Sequence, residues 1–301
     1  MIQLHVWGYK DEISIISPHC IAAAWLLKLV LKPLDIPYEI ITSNNTKLSE
    51  LNQLPVLIIS EDEKYDGFYS ISKYLIKTYN PFNIYISKDY KQNILNMSII
   101  NYLETRFEII NLYNLCLNKQ NYEQYTRKLF TKYYSFPWMY NQSLNFYNES
   151  IEKIKILKLN SNSSSSSIFQ FGQNENIAET ETFNELEDEL HKEEEEKTKA
   201  ISGLHEKLLL QKSKTKEVLK ESKNSMRCLM LFEKYLRQLK TLKKDTNQQY
   251  FLDTELPSTS DILFFAYLFC FTYQDLPDKF IKLNDVNKEK LDKFIEPVNN
   301  E

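Results

Sequence analysis

Apolar and polar residues alternate over residues 2–7, at the start of the chain. A period of two predicts a β-strand that buries one of its faces. A helix is predicted next, because Ser17 is a favourable N-cap, Pro18 suits the first helical position, and apolar residues then recur three and four apart. A second strand is predicted at residues 38–41. The chain therefore begins with a β-α-β unit.

An apolar run at residues 56–59 follows Pro55 and predicts a third strand. Proline cannot donate to the hydrogen-bond ladder of a sheet, but it is tolerated at the first residue of a strand. An X-Pro bond also adopts the cis form far more easily than other peptide bonds. A short strand and a helix are predicted next, and this order is typical of thioredoxin-like domains, which carry a cis-proline before the third strand. We therefore predict such a domain at residues 1–82, with a cis bond between Leu54 and Pro55.

Helical spacing replaces the strand patterns in the rest of the chain, and the longest predicted amphipathic helix covers about 89–117. Near the end, Ser258 and Asp261 match a capping box, in which each side chain bonds to the backbone of the other residue. The helix that follows is apolar on nearly every face through Phe271, which predicts a central core helix. Further helices are predicted at about 143–157 and 226–244, within a helical domain formed by residues 88–158 and 216–301.

Residues 159–215 differ in composition from the segments on either side. They contain a run of five serines, a run of four glutamates and many lysines, and are too polar to bury a core. We expect a disordered or loosely helical insertion that limited proteolysis cuts first. The whole pattern predicts an α/β plus all-α fold of the glutathione-transferase-like class, with a thioredoxin-like domain followed by a helical domain.

Composition excludes several functions for the chain. With 43% hydrophobic and 26% charged residues, its 301 residues have the composition of a soluble globular protein, and the net charge of −4 gives no sign of nucleic-acid binding. The four cysteines are far apart, without a CxxC pair, so no metal site is predicted. No run reaches the ~18 apolar residues that a membrane-spanning helix needs, so we expect a cytosolic or peripheral protein.

Glutathione chemistry is the first function to test for such a fold. A transferase needs a hydroxyl or thiol at the start of the first helix and an acidic residue followed by serine after the fourth strand. The segment Ser17–Cys20 offers a hydroxyl and a thiol, but Cys20 is the last of these residues, inside the helix, and has no resolving cysteine. The second position reads Phe68–Ser70 and lacks the carboxylate. We therefore predict no catalytic residue, no cofactor and no glutathione site.

A basic and aromatic segment at residues 121–141 is the main candidate for a binding site. It contains more aromatic surface than one amphipathic helix needs, and Tyr, Trp and Arg are the residues that most often anchor protein interfaces. The alternative is that all of these side chains belong to the core. The candidate partner-binding residues are Tyr122, Tyr125, Arg127, Lys128, Lys132, Trp138 and Tyr140.

Several stretches resemble the metaxin family, and within it the fungal metaxin-like subunit of the mitochondrial sorting and assembly machinery. The stretches are His5–Gly8, Ser43–Ser49 and Leu54–Ile58 in the first domain, then Asn121–Lys132 and Phe136–Asn141. The resemblance covers about residues 1–147, continues in pattern only over 226–285, and does not extend to the insertion at 159–215.

The resemblance implies a non-enzymatic protein on the cytosolic face of the mitochondrial outer membrane, held there peripherally. It implies as partners the β-barrel core subunit of the machinery, a second metaxin-like subunit, the receptor side of the TOM translocase and β-barrel precursors. The implied function is to support the assembly and release of those precursors. The alternative from another class is a cytosolic glutathione-transferase-like enzyme, or a translation-associated binding module with the same fold.

Overall fold

The computed structural model describes most of the chain. The described residues are 1–50, 52–60, 63–79, 90–155, 203–242, 250–252, 256–283, 288–289 and 291–295.

A twisted sheet of short strands forms the first domain, with β1 at its centre. β1 pairs in parallel with β3 and antiparallel with β4, and β4 pairs antiparallel with β5. The two-residue β2 pairs with the end of β1 as a hairpin, which the alternation pattern did not predict. The strands are β1 (Ile2–Tyr9), β2 (Glu12–Ile13), β3 (Tyr38–Ser43), β4 (Val56–Ile58) and β5 (Lys64–Asp66).

Helices α1 (Pro18–Leu31) and α2 (Gly67–Tyr79) complete this thioredoxin-like domain and pack against each other. The cis bond predicted between Leu54 and Pro55 is confirmed. The Pro55 carbonyl accepts a hydrogen bond of 2.9 Å from the N–H of Gly67, at the start of α2. Gly67 has a φ of 75°, a conformation that glycine adopts without a steric penalty. A second cis bond, between Phe136 and Pro137, was not predicted.

The second domain is helical, as predicted. The predicted helix at about 89–117 is present, but two π-helical turns interrupt it, and a third π-turn precedes α6. The helices are α3 (Tyr90–Tyr102), α4 (Glu108–Leu112), α5 (Lys119–Asn121), α6 (Arg127–Tyr133), α7 (Trp138–Lys155), α8 (Gly203–Thr241) and α9 (Thr259–Phe271), and the π-turns are Leu103–Phe107, Tyr113–Leu117 and Tyr122–Thr126.

The capping box predicted at Ser258 and Asp261 is present at the start of α9. The Asp261 carboxylate accepts the Ser258 N–H at 2.9 Å and, through its other oxygen, the Phe251 N–H at 3.0 Å. Asn96 of α3 accepts the Ser260 N–H at 3.1 Å and donates to the Thr259 hydroxyl at 2.7 Å. The start of the core helix is therefore bonded both within itself and to α3.

Aromatic packing joins α8 and α9 to the helix that begins with α3. Phe107, on the first π-turn, is fully buried, and four other rings lie around it with centroids within about 6 Å: Phe232, Phe264, Tyr267 and Phe271. On the other side of α9, Phe269 lies against Trp25 of α1 at 5.7 Å. Helix α9 therefore connects the cores of the two domains, as expected for an all-round apolar helix.

The predicted polar insertion at residues 159–215 lies mainly outside the described residues, which resume at 203. Residues 203–215 form the start of α8. This helix therefore begins well before residue 226, where the apolar periodicity predicted its start. In the part of the chain that the structure describes, no helix is long and apolar enough to cross a membrane.

Candidate functional site

The start of α1, where a transferase of this fold would carry its reactive group, is closed. Ser17 caps the helix, and its hydroxyl accepts the N–H of Cys20 at 3.4 Å. The Cys20 sulfur accepts the N–H of Trp7 at 3.4 Å and has no exposed surface. Burial raises the pKa of the Cys20 thiol to about 12. A protonated and inaccessible thiol cannot act as a nucleophile, since the thiolate is the reactive form.

The segment Phe68–Ser70, where a transferase of this fold has an acidic residue followed by serine, also has a structural role. Phe68 is buried in the core at the start of α2. The adjacent Asp66, which sequence reasoning did not single out, uses its carboxylate to accept the Ser49 hydroxyl at 2.8 Å and the Glu50 N–H at 3.1 Å. Through one of its oxygens, this carboxylate therefore ties the loop before β4 to the end of β5.

We expect a thiol reagent such as DTNB to label none of the cysteines of the native protein at pH 8 within minutes, and all of them in denaturant. The reason is that all are buried and that burial raises the pKa of each thiol. Stoichiometric labelling of Cys20 in the folded protein would contradict this description. The four cysteines are Cys20, Cys116, Cys228 and Cys270.

Two of the three tyrosines of the predicted partner-binding set, Tyr122 and Tyr125, lie against neighbouring elements. The Tyr122 hydroxyl is 3.1 Å from that of Ser143, and the Tyr122 ring is 4.8 Å from Tyr147. Tyr125 lies against Tyr273, and burial raises its pKa above the ordinary range. These two residues contribute to the packing of α7 and of the segment after α9. Less of their ring surface is therefore available to a partner than the sequence suggested.

The cations and the later aromatic residues of the set are on the surface. Arg127, Lys128 and Lys132 are exposed on one side of α6, and they form no ion pair with any described residue. Trp138 is 61% exposed and Tyr140 is also exposed at the start of α7. Because α6 and α7 pack against each other, their outer faces adjoin.

Phe136 and Leu144 belong to the same exposed region but were not in the predicted set. Phe136 is 75% exposed, with its ring 6.2 Å from that of Tyr140, edge to face. Leu144 is one turn further along α7 and is exposed as well. Phe136 lies within the aromatic part of the predicted segment, whereas Leu144 was missed, because the exposure of an apolar residue has no local sequence signal. We call the set Arg127, Lys128, Lys132, Phe136, Trp138, Tyr140 and Leu144 the basic–aromatic surface.

Hydrogen bonds hold the segment that carries this surface against both domains. The Asn44 amide, after β3, donates to the Tyr133 carbonyl, and the Tyr134 hydroxyl donates to the Asn44 carbonyl at 3.4 Å. The fully buried Asn121 donates to the Asp278 carbonyl at 3.0 Å and accepts the Asp278 N–H at 2.7 Å. A surface supported in this way loses little freedom when it binds a partner.

No group of three or more His, Cys, Asp or Glu side chains that could hold a metal occurs among the described residues. His5, on β1, is half-buried. Its Nδ1 has no hydrogen-bond partner among the described residues, and burial lowers its pKa, opposed by the charge of Glu39. A partly buried neutral histidine of this kind contributes to packing.

The fold is of the glutathione-transferase-like class, a thioredoxin-like domain followed by a helical domain. The glutathione transferase GSTFuA3 from Phanerochaete chrysosporium is 9% identical and aligns with a TM-score of 0.52 over 99% of this chain and 95% of its own. FzlA from C. crescentus aligns over 99% of this chain and 91% of its own, with 11% identity and a TM-score of 0.48. At such identities the likeness concerns the fold alone.

The sequence belongs to the Tom37/metaxin family. One family model, described as an outer mitochondrial membrane transport complex protein, matches residues 20–147, and the Tom37 C-terminal domain matches residues 179–301. The Metaxin-1 homolog of Drosophila melanogaster is 26% identical over 154 residues, which are 50% of this chain and 45% of the fly protein. The chain is thus a member of a family of outer mitochondrial membrane transport complex proteins.

Proposed function

We propose that this chain is a non-enzymatic subunit of the mitochondrial outer-membrane sorting and assembly machinery. There it supports the insertion, assembly and release of β-barrel precursors. The observation that carries the proposal is the match of two Tom37 models in succession, at residues 20–147 and 179–301. The buried Cys20 adds support, because it removes the thiol that an enzyme of this fold would use.

A rigid subunit has a physical role in such an assembly. The strands of a precursor have unpaired edges that aggregate in water, and only the closed barrel satisfies its backbone groups within lipid. The site of closure must therefore be held in a defined arrangement until the barrel is complete. A two-domain scaffold whose core helix α9 packs on both domains provides that rigidity.

The proposed partners are the β-barrel core subunit, a second metaxin-like subunit, the receptor side of the TOM translocase and the precursors. In this proposal the protein lies on the cytosolic face as a peripheral subunit, and the basic–aromatic surface docks on the membrane-embedded partner. Support comes from its composition, since exposed aromatic residues beside cations that pair with no described residue are typical of interface anchors.

A tagged chain isolated in mild detergent from mitochondria should retain the β-barrel core subunit, with mass spectrometry as the readout. Alkaline carbonate should extract the chain, as expected for peripheral attachment. A preparation that contains the tagged chain and soluble proteins alone would contradict the proposal.

Glutathione is expected not to bind, because the carboxylate position is occupied by Phe68 and the Cys20 thiol is buried. Isothermal calorimetry with reduced glutathione should give no heat beyond dilution. Micromolar binding that Ser17→Ala or Cys20→Ala abolishes would favour the enzyme alternative.

A further inference from the structure

A long groove on the helical domain is separate from the basic–aromatic surface. It runs between α3 with its π-turn on one side and the last third of α8 on the other, and has a volume of about 730 Å³. That volume is in the range of sites that bind small ligands or short peptides. The two helices are antiparallel along it, since the Tyr102 hydroxyl donates to Gln238 at 2.6 Å while Phe107 contacts Phe232 further along.

The groove has chemically different ends. One end is apolar and is formed by Leu95, Ile99, Leu239 and Leu242. At the other end the lining includes the exposed cations Arg106 and Lys234. With a rise of 1.5 Å per residue, Leu95 and Arg106 are about 16 Å apart along the helix.

Neither Arg106 nor Lys234 forms an ion pair with a described carboxylate. The Arg106 guanidinium lies 5.8 Å from the ring centroid of Tyr235, which orients it, and no described carboxylate pairs with it. The nearest acidic residue on this part of α8, Glu233, is bonded to Arg237 at 2.6 Å. Arg106 is also carried on the π-turn Leu103–Phe107, and π-turns inside helices occur frequently at functional sites. No acidic residue is among those that line the groove.

The middle of the groove is polar. Gln238 accepts from Tyr102 through its oxygen, so its NH₂ group remains available. The side-chain amide of Asn101 forms no hydrogen bond with a described residue and faces the same groove. An acyl chain in this position would remove both amides from water without replacing their hydrogen bonds, which costs free energy. A peptide backbone would supply both a donor and an acceptor instead.

We propose that this groove binds an extended segment of a partner protein, with an apolar side chain at the end lined by Leu95 and Leu242 and an acidic side chain at Arg106 and Lys234. At about 3.3 Å per residue, the distance of about 16 Å places the two anchors roughly five positions apart in the bound segment. The proposal is independent of the proposed function, because it rests on this groove alone.

The test uses the full chain and two fluorescein-labelled heptapeptides, LLSNTEE and LLSNTKK, with fluorescence anisotropy as the readout. We expect LLSNTEE to bind at micromolar to millimolar concentration, and LLSNTKK to bind at least roughly tenfold more weakly, which is the factor expected for one charge-assisted hydrogen bond. The double variant R106E/K234E should reverse this preference, because the swapped charges then complement the lysine peptide.

A matched control is K73E/K77E, which makes the same charge change at two exposed lysines of α2. It should leave the affinity for LLSNTEE unchanged. Absence of binding at millimolar concentration would overturn the proposal, as would binding that R106E/K234E and K73E/K77E reduce equally. Displacement of LLSNTEE by decanoate but not by unlabelled peptide would also overturn it, since the groove would then bind a lipid-like amphiphile.

Discussion

Replacing Arg127, Lys128 and Lys132 together with glutamate is expected to release the protein from isolated mitochondria without lowering its midpoint of thermal unfolding. All three side chains are exposed on α6 and pair with no described carboxylate, so the change breaks no ion pair within the described part of the fold. Charge reversal at an interface replaces attraction with repulsion, and like charges that face each other cost several kcal/mol. The measurement compares the mitochondrial pellet with the supernatant and follows unfolding by circular dichroism.

The matched control reverses Lys212, Lys214 and Lys216, which are exposed on the first half of α8. This variant has the same net charge as the first and should stay with mitochondria. If the two variants behave alike, the effect comes from net charge and not from a docking surface. If the α6 variant still co-purifies with the barrel subunit, we would place the interface on the thioredoxin-like half.

Truncating an aromatic residue of the basic–aromatic surface tests how much its aromatic contacts contribute to partner binding, apart from the charges of α6. Trp138→Ala removes a side chain that is 61% exposed in the free protein, so little stability should be lost. An aromatic residue at the centre of an interface can contribute 2 kcal/mol or more to binding, which is about 30-fold in affinity. Binding that survives Trp138→Ala unchanged would restrict the docking surface to its cations.

Asp261→Ala is expected to lower the free energy of unfolding by about 3–4 kcal/mol, the largest stability effect that we predict. The substitution leaves two buried N–H groups, of Ser258 and Phe251, without their acceptor. Each buried donor left unsatisfied costs about 1–3 kcal/mol, and the loss of a cap adds to this. Urea unfolding measured by tryptophan fluorescence or circular dichroism gives the value.

Two comparison variants make the Asp261 result interpretable. Ser258→Ala removes the other half of the capping box and should cost about 1 kcal/mol, the usual value for a lost cap. Asp292→Ala removes an exposed carboxylate and should change the stability by less than about 0.5 kcal/mol. Equal effects of the substitutions at positions 261 and 292 would mean that the hydrogen bonds of Asp261 contribute nothing.

Features with a short-range physical cause were predictable from the sequence. The alternation at residues 2–7 specifies β1, because the side chains of a strand alternate between its faces. The capping box at Ser258 specifies the start of α9, because the bonds join residues three apart. The cis bond at Pro55 followed from the order of elements around it.

Other features depended on contacts between distant parts of the chain. The π-turn Leu103–Phe107 has no pattern of its own in the sequence, and its Phe107 packs into rings from α8 and α9. The sequence left open whether residues 203–215 are helical, because residues 211–216 are all polar and lack the apolar periodicity by which a helix is recognised; the structure places them at the start of α8. The hairpin strand β2 is too short to show an alternation.

Some properties of the candidate site could be predicted from the sequence, and others depended on the tertiary structure. The sequence by itself identified a basic and aromatic segment, because residue type and order are sufficient for that. The tertiary structure alone decided that Tyr122 and Tyr125 pack against Tyr147 and Tyr273, whereas Phe136 is exposed. The physical reason is that the burial of an aromatic ring depends on which helix lies next to it, and that neighbour is supplied by residues far away in the chain.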